Sequence, residues 1–400
     1  MRILFVNPHL KMGGIANSLY NLLAELRNHK ELEIELLCFN PYFDNKFSSL
    51  YKHLKIHSPF LLKCLYINFK DAKTHLAWYS FPILIIVKLF SKLVGDNASR
   101  KLFTRTIYRN WNEKTSYDAA ISFSNDIPKN NSLMGSNDFV LTSVNAQQKI
   151  AWIHNDLDRL GITKPYILER YKNFDKVVSV SESCKADFDL LVPEFSKKSF
   201  LVHNYIDPKI IFEKAVEFNP YPDKEQNFIL ITVARIDNSQ KRIDRIIEIA
   251  EKLKENGELF KWFIVGDGPD KQVLESQALS SNLENYLFFE GFQQNPYPYV
   301  KYADCFVLTS DYEAQGMVLS EALIVGTPVI TTDFPAAKEF VIDGKNGKIV
   351  ARDTPALFEA VENVLKNPEI LKSYRDQIHG SDFENMAESS LREFKYMLDH

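Results

Sequence analysis

Short apolar runs alternate along this chain with longer stretches in which apolar residues recur every three or four positions. The first pattern suits a strand buried on both faces and the second an amphipathic helix. Their alternation predicts βα units wound around parallel sheets. In the first half the runs fall at Ile3–Asn7, Ile34–Phe39, Ala119–Phe123, Ile150–His154, Val177–Val180 and Phe200–His203. In the second half they fall at Phe228–Ala234, Trp262–Val265, Leu287–Glu290, Cys305–Thr309, Val329–Thr332 and Lys348–Val350. Each series is enough for one open, doubly wound sheet, so the expected fold is α/β with two domains. The stretch His203–Asn227 shows no such order and carries Pro208, Pro220 and Pro222, which predicts an inter-domain linker over 206–227. The expected domains are therefore 1–205 and 228–381, with a terminal helix over 382–400, where charged and apolar residues alternate at helical spacing.

One segment breaks the rhythm. Residues 51–110 hold 11 Lys and Arg against two acidic residues, Asp71 and Asp96, although the whole chain has a net charge of −4. Among those bases stand Phe60, Trp78, Tyr79, Phe81, Ile83, Leu84, Ile85, Ile86, Leu89 and Phe90. Bases beside aromatic and aliphatic residues suit a helix lying in the plane of an anionic membrane surface. They suit equally an insert whose apolar face packs on the N-terminal sheet, and both readings stay open here. The run Leu76–Val94 is interrupted by Pro82, Lys88 and Lys92, so no transmembrane span is expected.

The remaining bulk properties narrow the class. Of the 400 residues 45% are hydrophobic and 25% charged, the balance of a soluble globular protein, and the net charge gives no reason to expect nucleic acid as a partner. Cys38, Cys64, Cys184 and Cys305 lie far apart, with no CxxC pair, and read as buried thiols. The start, Met1–Pro8, is too short in apolar residues for a secretory signal. A cytoplasmic protein is expected, with peripheral attachment to the inner face of the membrane if 51–110 binds lipid.

The candidate chemistry sits where strands end. Met12-Gly13-Gly14 follows the first strand and opens a helix, where glycines let a ligand approach the backbone and helix N–H groups favour phosphate. G-x-G-x-x-G is absent, against a dinucleotide dehydrogenase. Arg235 and Lys241 leave the end of Phe228–Ala234, and a planar fork beside a point charge suits a diphosphate. Gly266-Asp267-Gly268-Pro269 closes the next strand and Glu290-Gly291-Phe292 the one after. The segment Thr309–Leu323 is the most specific: Glu313 lies in a loop and Glu321 eight positions later in a helix, with Ala314, Gln315, Gly316, Met317 and Val318 between. On a continuous helix the two carboxylates would be about 80° out of phase, so a loop-plus-helix placement lets them hold two parts of one long ligand. Gly316 frees the backbone at the helix start, where phosphate is favoured.

This string resembles the E-x7-E motif of family 4 glycosyltransferases. Gly13-Gly14, His154 in Trp152-Ile153-His154-Asn155-Asp156, Arg235 and Lys241, Gly266-Asp267-Gly268-Pro269 and Glu290-Gly291-Phe292 follow in that family's order. The resemblance is close over about 228–350 and thin in the N-terminal half. It implies a GT-B fold, two Rossmann-like domains facing across a cleft, and a nucleotide diphosphate sugar bound mainly by the C-terminal domain. It also implies retention at the anomeric carbon, with no metal. By that likeness Glu321 would hold the ribose hydroxyls and Glu313 a donor-sugar hydroxyl. Arg235 and Lys241 would neutralise the diphosphate, His154 would face the donor sugar, and Gly14 would border the phosphates. Two departures stand out: Arg235 and Lys241 are six apart where the family has five, and Arg242 replaces its common glycine.

The expected function is hexosyl transfer from a nucleotide sugar, UDP-linked in preference to GDP-linked, to a glycan or lipid-linked acceptor, as in surface-polysaccharide assembly. The rivals are a nucleotide-sugar epimerase or hydrolase on the same fold, and a sensor that binds the nucleotide sugar without turnover.

Overall fold

The computed structural model describes residues 1–10, 13–40, 50, 54–60, 63–64, 67, 69, 72–73, 76–94, 115–125, 135–222 and 227–400. Met12 and much of the basic segment 51–110 lie outside them. The chain divides into two compact units, Met1–Ile206 with Ser390–His400, and Asp207–Ser389.

The first unit is built on a seven-stranded sheet in the order β3-β2-β1-β4-β5-β6-β7. Its strands are β1 Arg2–His9, β2 Glu33–Asn40, β3 Lys55–His57, β4 Tyr117–Ser122, β5 Ala146–Ile153, β6 Lys176–Ser179 and β7 Ser199–Leu201. All neighbours pair in parallel. β3 is the strand the apolar pattern does not announce: it has three residues, Lys-Ile-His, on the sheet edge, where burial on both faces is not demanded. Leu4, Val6, Phe39, Ala151, Ile153 and Val177 fill one face of the core with Phe139, Ile167 and Phe188. On another side Phe5 and Trp152, which meet Phe123 at 5.9 and 4.9 Å, lie 6.3 and 6.2 Å from the ring of Phe394. The terminal helix, Gly380–Asp399, therefore ends inside the first unit, where Phe394, Met397 and Leu398 are buried.

The second unit carries a six-stranded parallel sheet in the order β10-β9-β8-β11-β12-β13. These are β8 Phe228–Val233, β9 Phe260–Val265, β10 Leu287–Gly291, β11 Cys305–Leu308, β12 Val329–Thr332 and β13 Gly347–Val350. Its core joins Leu230, Trp262, Ile264, Val307 and Ile330 to Ile246, Ile249 and Leu253 of the helix Asp244–Glu255. The stretch expected as a linker is not without order. Asp207 accepts hydrogen bonds from the N–H groups of Lys209 (2.9 Å) and Ile210 (3.3 Å), and Pro208 begins the helix Pro208–Ala215. A proline at a helix's first position starts it, whereas the sequence reading took it as a breaker. Tyr221, farther on, is buried against Phe263 at 4.6 Å. With these elements the architecture is α/β, two doubly wound parallel sheets, each in its own unit.

Candidate active site

In an open parallel sheet the ligand crevice lies at the strands' carboxyl ends, where the strand order reverses. In the second unit that point falls between β8 and β11, which pair directly although 71 residues of chain and two strands intervene. The loops leaving these two strands carry Lys241 and Glu313.

After β8 the chain makes a single helical turn, Asn238–Lys241, whose cap Asp237 accepts from the Ser239 N–H at 3.2 Å. This turn accommodates the six-residue spacing of Arg235 and Lys241. Arg242 ends it in the left-handed conformation, φ 50° and ψ 48°. That is where glycine costs nothing and an L side chain costs about 1–2 kcal/mol. The guanidinium offsets this by donating from Nη2 to Asp244 Oδ2 at 2.9 Å and from Nη1 to Asp311 Oδ2 at 3.3 Å. The substitution of arginine for the family's glycine is thus explained by two carboxylates placed to hold it.

Lys241 forms an ion pair with Glu313, both side chains nearly buried. The Glu313 carboxylate also accepts from Ser310 Oγ at 2.7 Å and from Gln240 Nε2 at 3.4 Å. Ser310 is itself tied to β12, because Thr332 Oγ1 donates to its carbonyl. Thr309 Oγ1 donates to the Lys241 carbonyl at 2.7 Å, so the two loops are stitched through backbone as well as side chain. Beneath them lies Arg245, buried, which sequence reasoning missed. It donates to the Thr309 carbonyl and the Arg352 carbonyl, each at 2.8 Å, and pairs with Asp311 at 2.7 Å. Its signal was available: an arginine among the apolar residues of Asp244–Glu255 must find partners when buried.

Gly316 caps the helix Met317–Ile324 at φ 80°, and its missing side chain leaves room for Phe334, whose ring carbon lies 3.1 Å from where a Cβ would stand. The helix's first N–H groups have no intrahelical acceptors. Glu321 sits one turn in and accepts from the phenol of Tyr297 at 3.4 Å. Tyr297 is the second residue the sequence did not flag. Burial pushes its hydroxyl well above the usual tyrosine range, with the Glu321 charge adding to it, so it stays a neutral donor. Ala314 and Val318 are half-buried and Gln315 is buried. Arg235 is exposed beyond the end of β8, with no side-chain partner among the described residues. Phe292 follows β10 and is also exposed.

The glycines divide into two kinds. A Cβ at Gly266 would stand 1.8 Å from the Ala234 carbonyl oxygen, and one at Gly268 2.1 Å from that of Ile236. These two let the loops after β8 and β9 run side by side, joined by Ile236 N–H donating to the Asp267 carbonyl at 3.0 Å. Packing therefore accounts for both without a ligand. At Gly13 and Gly14 a Cβ would meet nothing within 4 Å, so packing does not require glycine there.

Gly13, Gly14 and His154 belong to the first unit. There the strand order reverses between β1 and β4; Gly13 and Gly14 follow β1, and His154 follows β5, the next strand along. His154 is buried, its ring 4.6 Å from that of Phe123, and its N–H donates to Asn125 Oδ1 at 3.2 Å. Burial pushes its pKa down to about 3, against a hydrogen bond to the Phe123 backbone. Among the described residues its Nε2 has no partner, and with its pKa so low the imidazole is neutral at pH 7 and keeps one buried acceptor open.

Residues 213–379 match the family described as Glycosyl transferases group 1. Over 233 residues the chain is 27% identical to N-acetylgalactosamine-N,N'-diacetylbacillosaminyl-diphospho-undecaprenol 4-alpha-N-acetylgalactosaminyltransferase of Campylobacter jejuni, an alignment covering 54% of this chain and 62% of that protein. Over 207 residues it is 28% identical to alpha-monoglucosyldiacylglycerol synthase of Acholeplasma laidlawii, covering 51% of this chain and 50% of that one. The chain thus spans about half to three-fifths of the length of these relatives. The crystal structure of HepE from Anabaena in complex with UDP and glucose superposes with a TM-score of 0.72 at 15% identity, covering 100% of this chain and 99% of the other. Residues 213–379 are a group 1 glycosyl transferase domain, and the chain carries it on a GT-B fold.

Proposed function

We propose that this protein transfers a hexosyl unit, with retention, from a UDP-linked sugar to a glycan or lipid-linked acceptor at the inner face of the membrane. The observation that carries the reading is the cation–carboxylate array at the β8/β11 switch point, with Glu321 one helical turn beyond. One ligand long enough to reach from Lys241 to Glu321 would have a charged middle and a hydroxyl-bearing moiety at each end, which describes a nucleotide diphosphate sugar.

In this reading Glu321, oriented by Tyr297, accepts from the ribose hydroxyls. Lys241 and Arg235 receive the diphosphate together with the N–H groups at Met317 and Val318. Glu313 then turns from Lys241 to a hydroxyl of the donor sugar. In the first unit, taken by itself, His154 presents an Nε2 acceptor suited to a sugar hydroxyl, and Gly13 and Gly14 leave the backbone open to a phosphate. Bond breaking leaves negative charge on the departing diphosphate, and fixed cations stabilise it without a metal ion or a covalent nucleophile. The names of the relatives support a lipid-linked acceptor: one contains diphospho-undecaprenol and the other diacylglycerol. The neighbouring crystal structure, with UDP and glucose bound, supports the choice of base.

The experiment is release of UDP or GDP over a panel of nucleotide sugars, with membrane extract as acceptor, in EDTA. Release of UDP that depends on the extract is expected. Binding of donor without release under any condition would leave a sensor in place of an enzyme.

A further inference from the structure

Among the described residues, the helix Phe81–Val94 is anchored on one side only. Leu84 is fully buried with Cys64, Ile67 and Ala72, flanked by Leu76 and Phe81, and Val87 packs against the main core of the first unit. The opposite side is apolar and faces outward. Ile86, Leu89 and Leu93 fall within about 60° of arc at 3.6 residues per turn. They are 65%, 54% and 83% exposed, with Ile83 and Ile85 beside them. In the turn before the helix, Trp78 and Tyr79 are 83% and 68% exposed, their rings edge to face at 6.2 Å. Residues 76–94 contain no acid, and Lys88 and Lys92 lie one turn apart on the flank of the stripe. Lys88 is half-buried, and burial lowers its pKa, so its stem packs along the helix while Lys92 is exposed.

We propose that this stripe docks in the plane of a bilayer surface containing anionic lipid, with Trp78 and Tyr79 at the headgroup level and Ile86, Leu89 and Leu93 among the upper acyl chains. The membrane-face acceptor in the reading above gives this contact its purpose. A second copy of the chain fits the stripe less well. Fourteen residues make a helix about 21 Å long, so one face about 10 Å wide offers roughly 200 Å². A stable protein interface needs about 800 Å² from each partner. A bilayer needs no matching shape, and it supplies both partners the described helix calls for: hydrocarbon for the stripe and anionic headgroups for Lys88 and Lys92, in a stretch 76–94 that holds no acid. No described helix is long and apolar enough to cross a membrane, so the helix lies along the surface.

The test uses the full chain with vesicles of neutral lipid alone and of neutral lipid mixed with phosphatidylglycerol. Flotation with the mixed vesicles is expected, falling as salt rises, together with quenching of tryptophan emission by lipids brominated on the acyl chains. Trp152 and Trp262 are buried, so with the fourth tryptophan, Trp111, replaced by Phe in both proteins, Trp78→Phe should remove most of that quenching. Trp78→Ser and Leu93→Glu alter side chains that contribute little to packing, and together they should lower vesicle binding about tenfold or more. UDP affinity, measured by calorimetry in the absence of lipid, should be unchanged by the pair, which also reports that the fold is intact. Absence of flotation at low salt, or full flotation of the double variant, would overturn the docking proposal. So would a concentration-dependent dimer that Leu93→Glu dissociates, found without vesicle binding. UDP release that persists while flotation fails removes this proposal alone; flotation without UDP release from any donor removes the transferase reading alone.

Discussion

Lys241 and Glu313 lie 72 residues apart in the chain and form one ion pair at the ends of two adjacent strands. Each is assigned a different part of the donor, yet without donor each is the other's partner. A diphosphate must therefore compete with Glu313 for Lys241. This gives Glu313→Gln two opposite effects. The Gln side chain keeps the hydrogen bond from Ser310 but no longer holds the ammonium, so affinity for UDP alone should rise about fivefold, the equivalent of about 1 kcal/mol for a partly buried pair. Turnover with the nucleotide sugar should fall on the order of 100-fold, because the carboxylate proposed to orient the sugar is gone. Calorimetry with UDP and steady-state kinetics read the two separately. Unchanged UDP affinity would mean that the pair does not guard the diphosphate site.

Lys241→Ala should lower turnover on the order of 100-fold while moving the donor Michaelis constant little, since negative charge on the diphosphate grows as the glycosidic bond breaks. An unaltered kcat in the folded variant would make Lys241 an ordinary structural cation.

Tyr297 acts through Glu321. Its phenol donates to the carboxylate, and the burial that keeps the phenol neutral also fixes the carboxylate's direction. Tyr297→Phe removes one hydroxyl and leaves the ring, so it should weaken donor binding about three- to tenfold with kcat nearly unchanged. Glu321→Ala should cost tenfold or more in the same measurement, because both ribose hydroxyls lose a charged acceptor. A loss in kcat rather than in binding for Tyr297→Phe would place the tyrosine at the reacting bond and contradict a positioning role.

Much of this was legible in the sequence, for a physical reason. Strands buried on both faces must be continuous apolar runs, so twelve of the thirteen strands among the described residues announced themselves, and the short edge strand Lys55–His57 did not. The loops carrying Lys241 and Glu313, and the helix carrying Glu321, were readable because charged side chains gathered after such runs have few structural uses. What escaped was of two kinds. Arg245 and Tyr297 sit in helices that also carry ordinary surface charges, where only the fold shows which polar side chain turns inward and what it reaches. Gly266 and Gly268 stand at strand ends that the sequence marks for a ligand, and the structure adds a packing reason for each, a neighbouring carbonyl where a Cβ would stand. A glycine pattern alone does not tell a ligand's approach from that of another loop.

Arg242 separates backbone strain from side-chain pairing. Arg242→Ala and Arg242→Gly both remove the contacts to Asp244 and Asp311, but only glycine relieves the left-handed conformation. Arg242→Ala should therefore be the less stable of the two by about 1 kcal/mol, measured by denaturant titration of the second unit's transition. Equal stabilities would show that the turn relaxes out of the left-handed region once the arginine is gone.

The first unit should be acid-sensitive in two separable steps. Burial holds His154 at about 3 in the folded chain, below the 6.5 of an ordinary histidine. A group whose pKa is depressed by folding gives its stability above the unfolded value and loses it as the pH falls. The His154 contribution should thus be complete above pH 6.5 and decline toward pH 3, by on the order of 2 kcal/mol between pH 6.5 and 5. Glu35 is lowered from 4.5 to about 2: burial raises it, and hydrogen bonds from Arg2, His57 and Tyr117 together outweigh burial. Its contribution is present above pH 4.5 and is lost only between there and about pH 2. Denaturant titration of the first unit at stepped pH should show the loss beginning near pH 6.5 and a further fall below 4.5. His154→Phe should flatten the upper step and leave the lower one, whereas Glu35→Gln should do the reverse. The same neutral imidazole means that the pH profile of kcat/KM should have no limb near 6.5 belonging to His154. A wild-type stability that stays level from pH 7 to 5 would show that His154 takes up a proton without strain, and the buried acceptor assigned to it could not then be relied on at neutral pH.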